Sequence, residues 1–227
     1  MHRTGTLWLW LVAGSISLLA LAPQVGAQQT KFVYGEKLDL AHVPNVGKVT
    51  EQLYRGAQPG NGGVEELKKL GITTIVDLRG EDSKTRLREQ KETEALGMHF
   101  VSIPVSGWSP PTQAQLAQFL ELFNRAEARV FVHCHFGEVR TGVFVASYRM
   151  AIEKWPAQQT IDEMYLFGFH GLWHRPMITF VRTITYREWD VNPKPATGRR
   201  DAERIVTGSD GSAYYTSDHY QTFRKIR

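Results

Sequence analysis

Cysteine is nearly absent from this 227-residue chain: Cys134 is the only one, so no internal disulfide can form and stability must come from burial. Long apolar runs are scarce too. The one candidate, Leu7 to Leu21, is about 15 residues, short for a membrane span. With Arg3 before it and the small residues Val25-Gly26-Ala27 after it, that stretch reads as a signal peptide over residues 1–27. The expected mature protein is therefore exported, to a periplasm or outside the cell, with no membrane span; an uncleaved anchor is the alternative. A basic face with interleaved aromatics is also missing, which argues against a nucleic-acid partner. Residues 191–227 carry seven Lys/Arg against four Asp/Glu, so the excess positive charge belongs to the C-terminus and the body is near neutral. Finally, no aspartate lies between Asp82 and Asp162.

What is present is an alternation of strand-like and helix-like segments. "ITTIVDLR" (72–79) is almost continuously apolar and β-branched, as in a buried parallel strand. "LYRGAQPG" (53–60), "MHFVSIPV" (98–105) and "RVFVH" (129–133) read as further strands. Between them, 64–70 and 85–96 carry helix formers ended by Gly71 and Gly97. Thr112 and Gln115 form a capping box before Leu116, Phe119, Leu120 and Phe123, which share one helix face. Helices are also expected from about Thr141 to Ile152, near 157–167 and near 173–187. The fold class is α/β, a central, mostly parallel sheet flanked by helices, in one domain over 28–190. Residues 191–227, rich in Pro, Gly, Ser, Asp and Arg, read as a polar basic tail, mobile or loosely docked on the body.

The chemistry concentrates in "VHCHFGEVRTG" (132–142), where a strand hands over to a helix. A tight loop at a helix N-terminus turns backbone N–H groups inward and adds the helix dipole, a setting that holds a phosphate dianion and favours thiolate over thiol at Cys134. Five residues separate Cys134 from Arg140, enough for the loop to curl until the guanidinium faces the sulfur across a bound anion. Gly137 permits the curl, and Thr141 offers its hydroxyl to the sulfur. His135, Phe136, Glu138 and Val139 complete the substrate-binding loop; Glu138 is expected to point outward, because a carboxylate inside the cradle would repel phosphate.

His133, Cys134, Gly137, Arg140 and Thr141, in that strand-loop-helix setting, resemble the signature of the cysteine-dependent protein tyrosine and dual-specificity phosphatases. "LYRGAQP", "LKKLGITTIVDLRGE" and the strand ending in "IPV" extend the resemblance over roughly residues 45–187. It implies hydrolysis through a phosphocysteine intermediate, with no metal and no cofactor, acting as a monomer on a phosphorylated protein or small phosphomonoester. Phosphotyrosine in proteins is the first expectation. A phosphoinositide or inositol phosphate, or a phosphate-binding pseudophosphatase, are the alternatives, and a redox sensor built on the thiol is a third. The chain departs from the family in the loop "SGWSPP" (106–111), which lacks the usual general-acid aspartate. Asp82 is the best remote candidate for that role and Glu138 the second. Arg55, Arg79 and Glu81 could flank the pocket, although surface salt bridges are the plainer reading.

Overall fold

The computed structural model describes residues 32–184, 187–190, 204–207, 213–216 and 224–226. The signal peptide expected over 1–27 lies outside the described residues. Among those described, no helix is long and apolar enough to cross a membrane.

Six strands form the main sheet: β1 (Glu36–Lys37), β2 (Gly47–Lys48), β3 (Leu53–Ala57), β4 (Thr74–Arg79), β5 (His99–Val105) and β6 (Val130–Cys134), in the order β1-β2-β3-β6-β4-β5. The pairs β3/β6, β4/β6 and β4/β5 are parallel, whereas β1 and β2 are short antiparallel additions at one edge. β6 therefore sits at the centre. Every residue of β3, β4 and β6 is buried, which explains their near-continuous apolar sequence and makes Arg55, Asp77, Arg79 and His133 stand out.

Each face of the sheet is covered by helices. Val64 and Leu67 of α1 (Gly63–Lys69) pack with Tyr54, Ile75 and Phe131, and α2 (Ser83–Ala95) lies on the same side. Leu116 and Phe119 of α3 (Gln113–Leu120), with Phe144, Val145 and Tyr148 of α4 (Val139–Ala151), cover Leu53, Val76, Leu78 and Val132 on the other. A further cluster joins Val143 and Ala146 to Ile161 and Met164 of α5 (Ala157–Leu166) and Met177 and Val181 of α6 (Arg175–Thr183). Because α4 is wrapped by the sheet and these helices, residues 140–149 are buried on all sides, and the one-sided pattern of a surface helix is absent.

Paired strands occur within the segment expected to be a mobile or loosely docked tail. A second, antiparallel sheet of order β10-β9-β8-β7 is built from β7 (Arg187–Asp190), β8 (Arg204–Thr207), β9 (Ala213–Thr216) and β10 (Arg224–Lys225). Its short β-branched and aromatic cores, "RIVT" and "AYYT", are separated by "GSDGS", a turn-forming run that compositional bias obscured. The helix expected to reach residue 187 ends at Thr183, and the boundary near 190 falls at the end of β7, inside this second sheet.

Candidate active site

Residues 134–139 join the C-terminal end of β6 to the N-terminus of α4, at the parallel sheet's carboxyl edge. Their carbonyl groups are held from outside. His133 Nδ1 lies 3.3 Å from the Cys134 oxygen, and the Gln58 N–H donates to His135 O at 3.2 Å. Asn45 Nδ2 donates to Phe136 O at 3.1 Å, and Arg55 Nη2 to Gly137 O at 2.6 Å. In a trans peptide the C=O and the following N–H point in opposite directions, so four outward carbonyls turn the N–H groups of residues 135–138 toward the concave side. The cradle is thus set by Arg55 on β3, by Asn45 and Gln58 on either side of that strand, and by His133 at the end of β6. Gly137 adopts φ +72°, and a Cβ there would lie 2.4 Å from the Gly56 carbonyl, so the loop rests directly on β3.

Cys134 is buried at the base of this loop. Burial pushes its thiol up, but the Thr141 hydroxyl and N–H, the Arg140 charge and the Gly137 N–H outweigh it and hold the pKa below the ordinary thiol value. The buried Thr141 hydroxyl has no oxygen or nitrogen partner, which leaves it free to donate to the sulfur. Arg140 is clamped by Glu81 through both guanidinium ends, Nη2 to Oε1 at 2.6 Å and Nη1 to Oε2 at 2.7 Å. Hydrogen bonding from Arg140 holds the Glu81 carboxyl at about 2. Glu81 is therefore a partner of the loop arginine, beyond the ordinary surface bridge expected.

His133 belongs to a buried network on the opposite face of the sheet. Its Nε2 lies 2.8 Å from Glu89 Oε1, an ion-pair contact short of an aligned hydrogen bond. Arg79 donates to both Asp77 oxygens, at 2.8 and 2.9 Å, and to Glu89 Oε2 at 2.6 Å. Burial lowers the His133 pKa, yet the Glu89 carboxylate more than offsets this and raises it above the usual value. Asp77, Glu89 and His133 are the group among the described residues with metal-ligand spacing, but their carboxylates already serve the Arg79 guanidinium. Arg79 is thus fully buried, contrary to the surface-bridge expectation.

Asp82, expected as the remote acid, is instead the N-cap of α2: Thr85 donates to it from N at 3.1 Å and from Oγ1 at 2.5 Å. Those bonds hold its carboxyl below the ordinary aspartate range, so it is a poor proton donor. Glu138 turns its carboxylate against Gly168, where a Cβ would lie 3.1 Å from Oε1. His135 and Phe136 are exposed at the rim, their rings edge to face at 4.4 Å. Val139 packs its side chain into the α4–α6 cluster and leaves only its backbone for the loop. The 106–111 loop contains no carboxylate; Trp108, 71% exposed, stacks on His174 at 5.2 Å and ties that loop to the start of α6. Beside the cradle a cleft of about 600 Å³ is lined by Lys37, Asn45, Arg88, His135, Phe136 and Phe167.

A cysteine at the base of an N–H cradle, its thiol pKa lowered and an arginine facing it, in a mostly parallel α/β sheet, defines a cysteine-dependent phosphatase of the dual-specificity type. Residues 41–172 match the family model described as DSP-PTPase phosphatase fused to NAD+ kinase, and the chain belongs to that family. It is 28% identical over 174 residues to the dual specificity protein phosphatase TpbA of Pseudomonas aeruginosa (strain UCBPP-PA14), covering 74% of this chain and 77% of that one. The crystal structure of P. aeruginosa TpbA superposes with a TM-score of 0.54 at 25% identity, covering 66% of this chain and 89% of the crystallised one. The catalytic core of the S. cerevisiae PP-IP phosphatase SIW14 shares the fold, with a TM-score of 0.55 at 20% identity over 63% of this chain and 86% of that one. Residues 174–227 match a second model, described as ribonuclease. The chain is also 49% identical over 43 residues, 19% of its length, to a ribonuclease of Heyndrickxia coagulans, and spans 38% of that protein.

Proposed function

We propose that the protein hydrolyses phosphotyrosine in proteins through a phosphocysteine intermediate on Cys134. The substrate phosphate sits on the inward N–H groups of residues 135–138 with Arg140 beside it. The Cys134 thiolate attacks phosphorus in line, forming the S–P bond as the ester P–O bond breaks and the phenolate leaves. Water then attacks phosphorus, the S–P bond breaks, inorganic phosphate departs and the thiolate is restored, with Thr141 donating to the sulfur as it leaves. One observation carries this reading: the lone cysteine lies at the base of a loop whose first four carbonyls, those of residues 134–137, are held outward.

The choice of an aryl ester rests on the acids. The 106–111 loop has no carboxylate, and Glu81 and Asp82 are both held ionised. A phenol, with a pKa of about 10, leaves without proton donation far more readily than a serine alkoxide. Phe136, 65% exposed, and Trp108 offer ring surfaces for a flat substrate. TpbA has itself been crystallised with phosphotyrosine. Steady-state kinetics on a phosphotyrosine peptide, its phosphoserine counterpart and an inositol polyphosphate test the assignment. A preference for the tyrosine ester is expected; a preference for the inositol phosphate would shift the reading to the cleft lined by Lys37, Arg88 and His135. The proposed exported location is tested by fractionating cells that express the full chain.

A second reading attaches to the C-terminal segment alone, and it stands as an alternative to the expectation of no nucleic-acid partner. The 49% identity to a ribonuclease, the four antiparallel strands and the basic excess over 191–227 support contact with RNA phosphates. Fluorescence anisotropy of labelled single-stranded RNA with the whole protein should show binding that weakens steeply with salt. Absence of binding at low salt would remove this reading.

A further inference from the structure

β3 is buried at all five positions, and one of them is an arginine: Arg55 has 0% exposure. A buried cation is costly unless an anion and hydrogen-bond acceptors satisfy it. The other buried arginines obey that rule. Arg79 is bound by Asp77 and Glu89, Arg140 by Glu81, and Arg149 by Glu163 and Glu153.

Arg55 does not. Among the described residues no carboxylate lies within ion-pair distance of it; its face stacks on the Phe167 ring at 4.1 Å, and Nε and Nη1 have no hydrogen-bond partner. Its single bond runs from Nη2 to the Gly137 carbonyl at 2.6 Å. The anions near enough to stabilise its charge are Glu163, Cys134 and Glu138. Glu163 is already taken by Arg149, at 2.6 and 3.0 Å, and by the Gly35 N–H at 2.6 Å. What remains is the loop itself: the thiolate at one end and Glu138 at the other.

The strand register places the charge. In the parallel β3/β6 pair, Ala57 lies opposite Cys134 and Arg55 opposite Val132. Residues two apart share a face, so Arg55 is on the Cys134 side of the sheet, one pleat back from the nucleophile. Burial pushes its pKa down to about 10, so it is still a cation at neutral pH, though one lacking its usual counter-charge.

We propose that Arg55 is a positioning residue for the reaction: sealed under the loop by Phe167, it fixes the outward Gly137 carbonyl and provides a buried positive charge that the Cys134 thiolate and the bound phosphate dianion complete. The proposal rests on Cys134 being the nucleophile. Alkylation reads the thiol without turnover, so the two ideas fail separately.

The test is the pH dependence of Cys134 alkylation by iodoacetamide, on the whole protein, in wild type and in Arg55→Met, with kcat and KM for an aryl phosphate measured alongside. The midpoint in Arg55→Met should rise by about one pH unit or more. At pH values below the shifted midpoint kcat/KM should fall roughly tenfold or more, and raising the pH should recover part of it. Arg55→Lys, which keeps the charge but not the planar fork, should move the midpoint less. Where Arg55→Met does not fold, Phe167→Leu carries the test: opening the seal admits water, screens the guanidinium and should also raise the midpoint. An unmoved midpoint in folded Arg55→Met, or in Phe167→Leu where it stands in, overturns the proposal. An ordinary midpoint near 8.5 in the wild type would instead overturn the reading of Cys134 as an activated nucleophile.

Discussion

Glu81 grips Arg140 through both carboxylate oxygens, at 2.6 and 2.7 Å, on the side of the guanidinium that also meets the Val105 carbonyl. A bidentate pair fixes the plane of the fork as well as its charge. The arginine is thereby oriented before any substrate arrives, which lowers the cost of organising the site during phosphoryl transfer.

Glu81→Gln should accordingly reduce kcat/KM for an aryl phosphate by roughly tenfold, mainly in kcat, with little loss of thermal stability because Glu81 is half exposed. Stopped assays and a melting curve check both halves. The pH sign is that of a depressed carboxylate: the contribution of the pair is present above the unfolded value near 4.5 and lost as pH falls toward about 2. No acid limb from Glu81 is expected above pH 4.

Gly137→Ala places a Cβ 2.4 Å from the Gly56 carbonyl carbon and oxygen at a residue with φ +72°. The loop must lift from β3, breaking the Arg55 bond. Activity should be lost almost completely, with a stability loss of about 1–3 kcal/mol, read by urea denaturation.

Breaking the buried network under the loop is expected to be costly. Glu89→Ala leaves His133 without its carboxylate and Arg79 with Asp77 as its one acidic partner, and should destabilise the protein by about 3–5 kcal/mol. The His133 contribution has the opposite pH sign to that of Glu81. Its folded pKa is raised, so the stabilisation is fully present below about 6.5 and is lost as pH rises through the folded value. Denaturation midpoints measured across pH 5–9 should show that decline in wild type and a flatter profile in Glu89→Gln.

Asp82→Asn should leave the pH–rate profile unchanged, since Asp82 caps α2 and faces Thr85. Its effect should be a small fall in the melting temperature. A vanished catalytic limb in this variant would restore Asp82 as the proton donor.

Much of this architecture is legible in the chain. The buried, largely apolar strands, the Thr112–Gln115 capping box and the strand-loop-helix around Cys134 all form where periodicity and capping chemistry place them. The supports of the site are not legible, for a physical reason. Asn45, Arg55, Glu81 and Glu89 act across 44 to 91 residues of sequence on the 133–140 segment, and nothing local marks a side chain whose partner is supplied by topology. Arg55 and Glu81 left a trace, the first as a charge inside the strand-like "LYRGA" and the second as a charge just past a strand end, but neither could be told from a surface salt bridge. Asp82 misled because a residue just past a strand's carboxyl end suits catalysis and helix capping equally, and only coordinates show which partner it takes. The C-terminal strands were hidden by turn-rich composition, which reads as a tail until antiparallel pairing joins the short pieces.

The most direct measurement is hydrolysis of an aryl phosphate by residues 28–227 with a metal chelator present, followed by acid quenching and mass analysis of the peptide containing Cys134. Chelator-resistant turnover, a phosphate adduct on that peptide during the steady state, and loss of both in Cys134→Ser are predicted. Turnover that survives Cys134→Ser, or folded and reduced protein that shows neither turnover nor adduct from pH 4 to 8, would contradict the account.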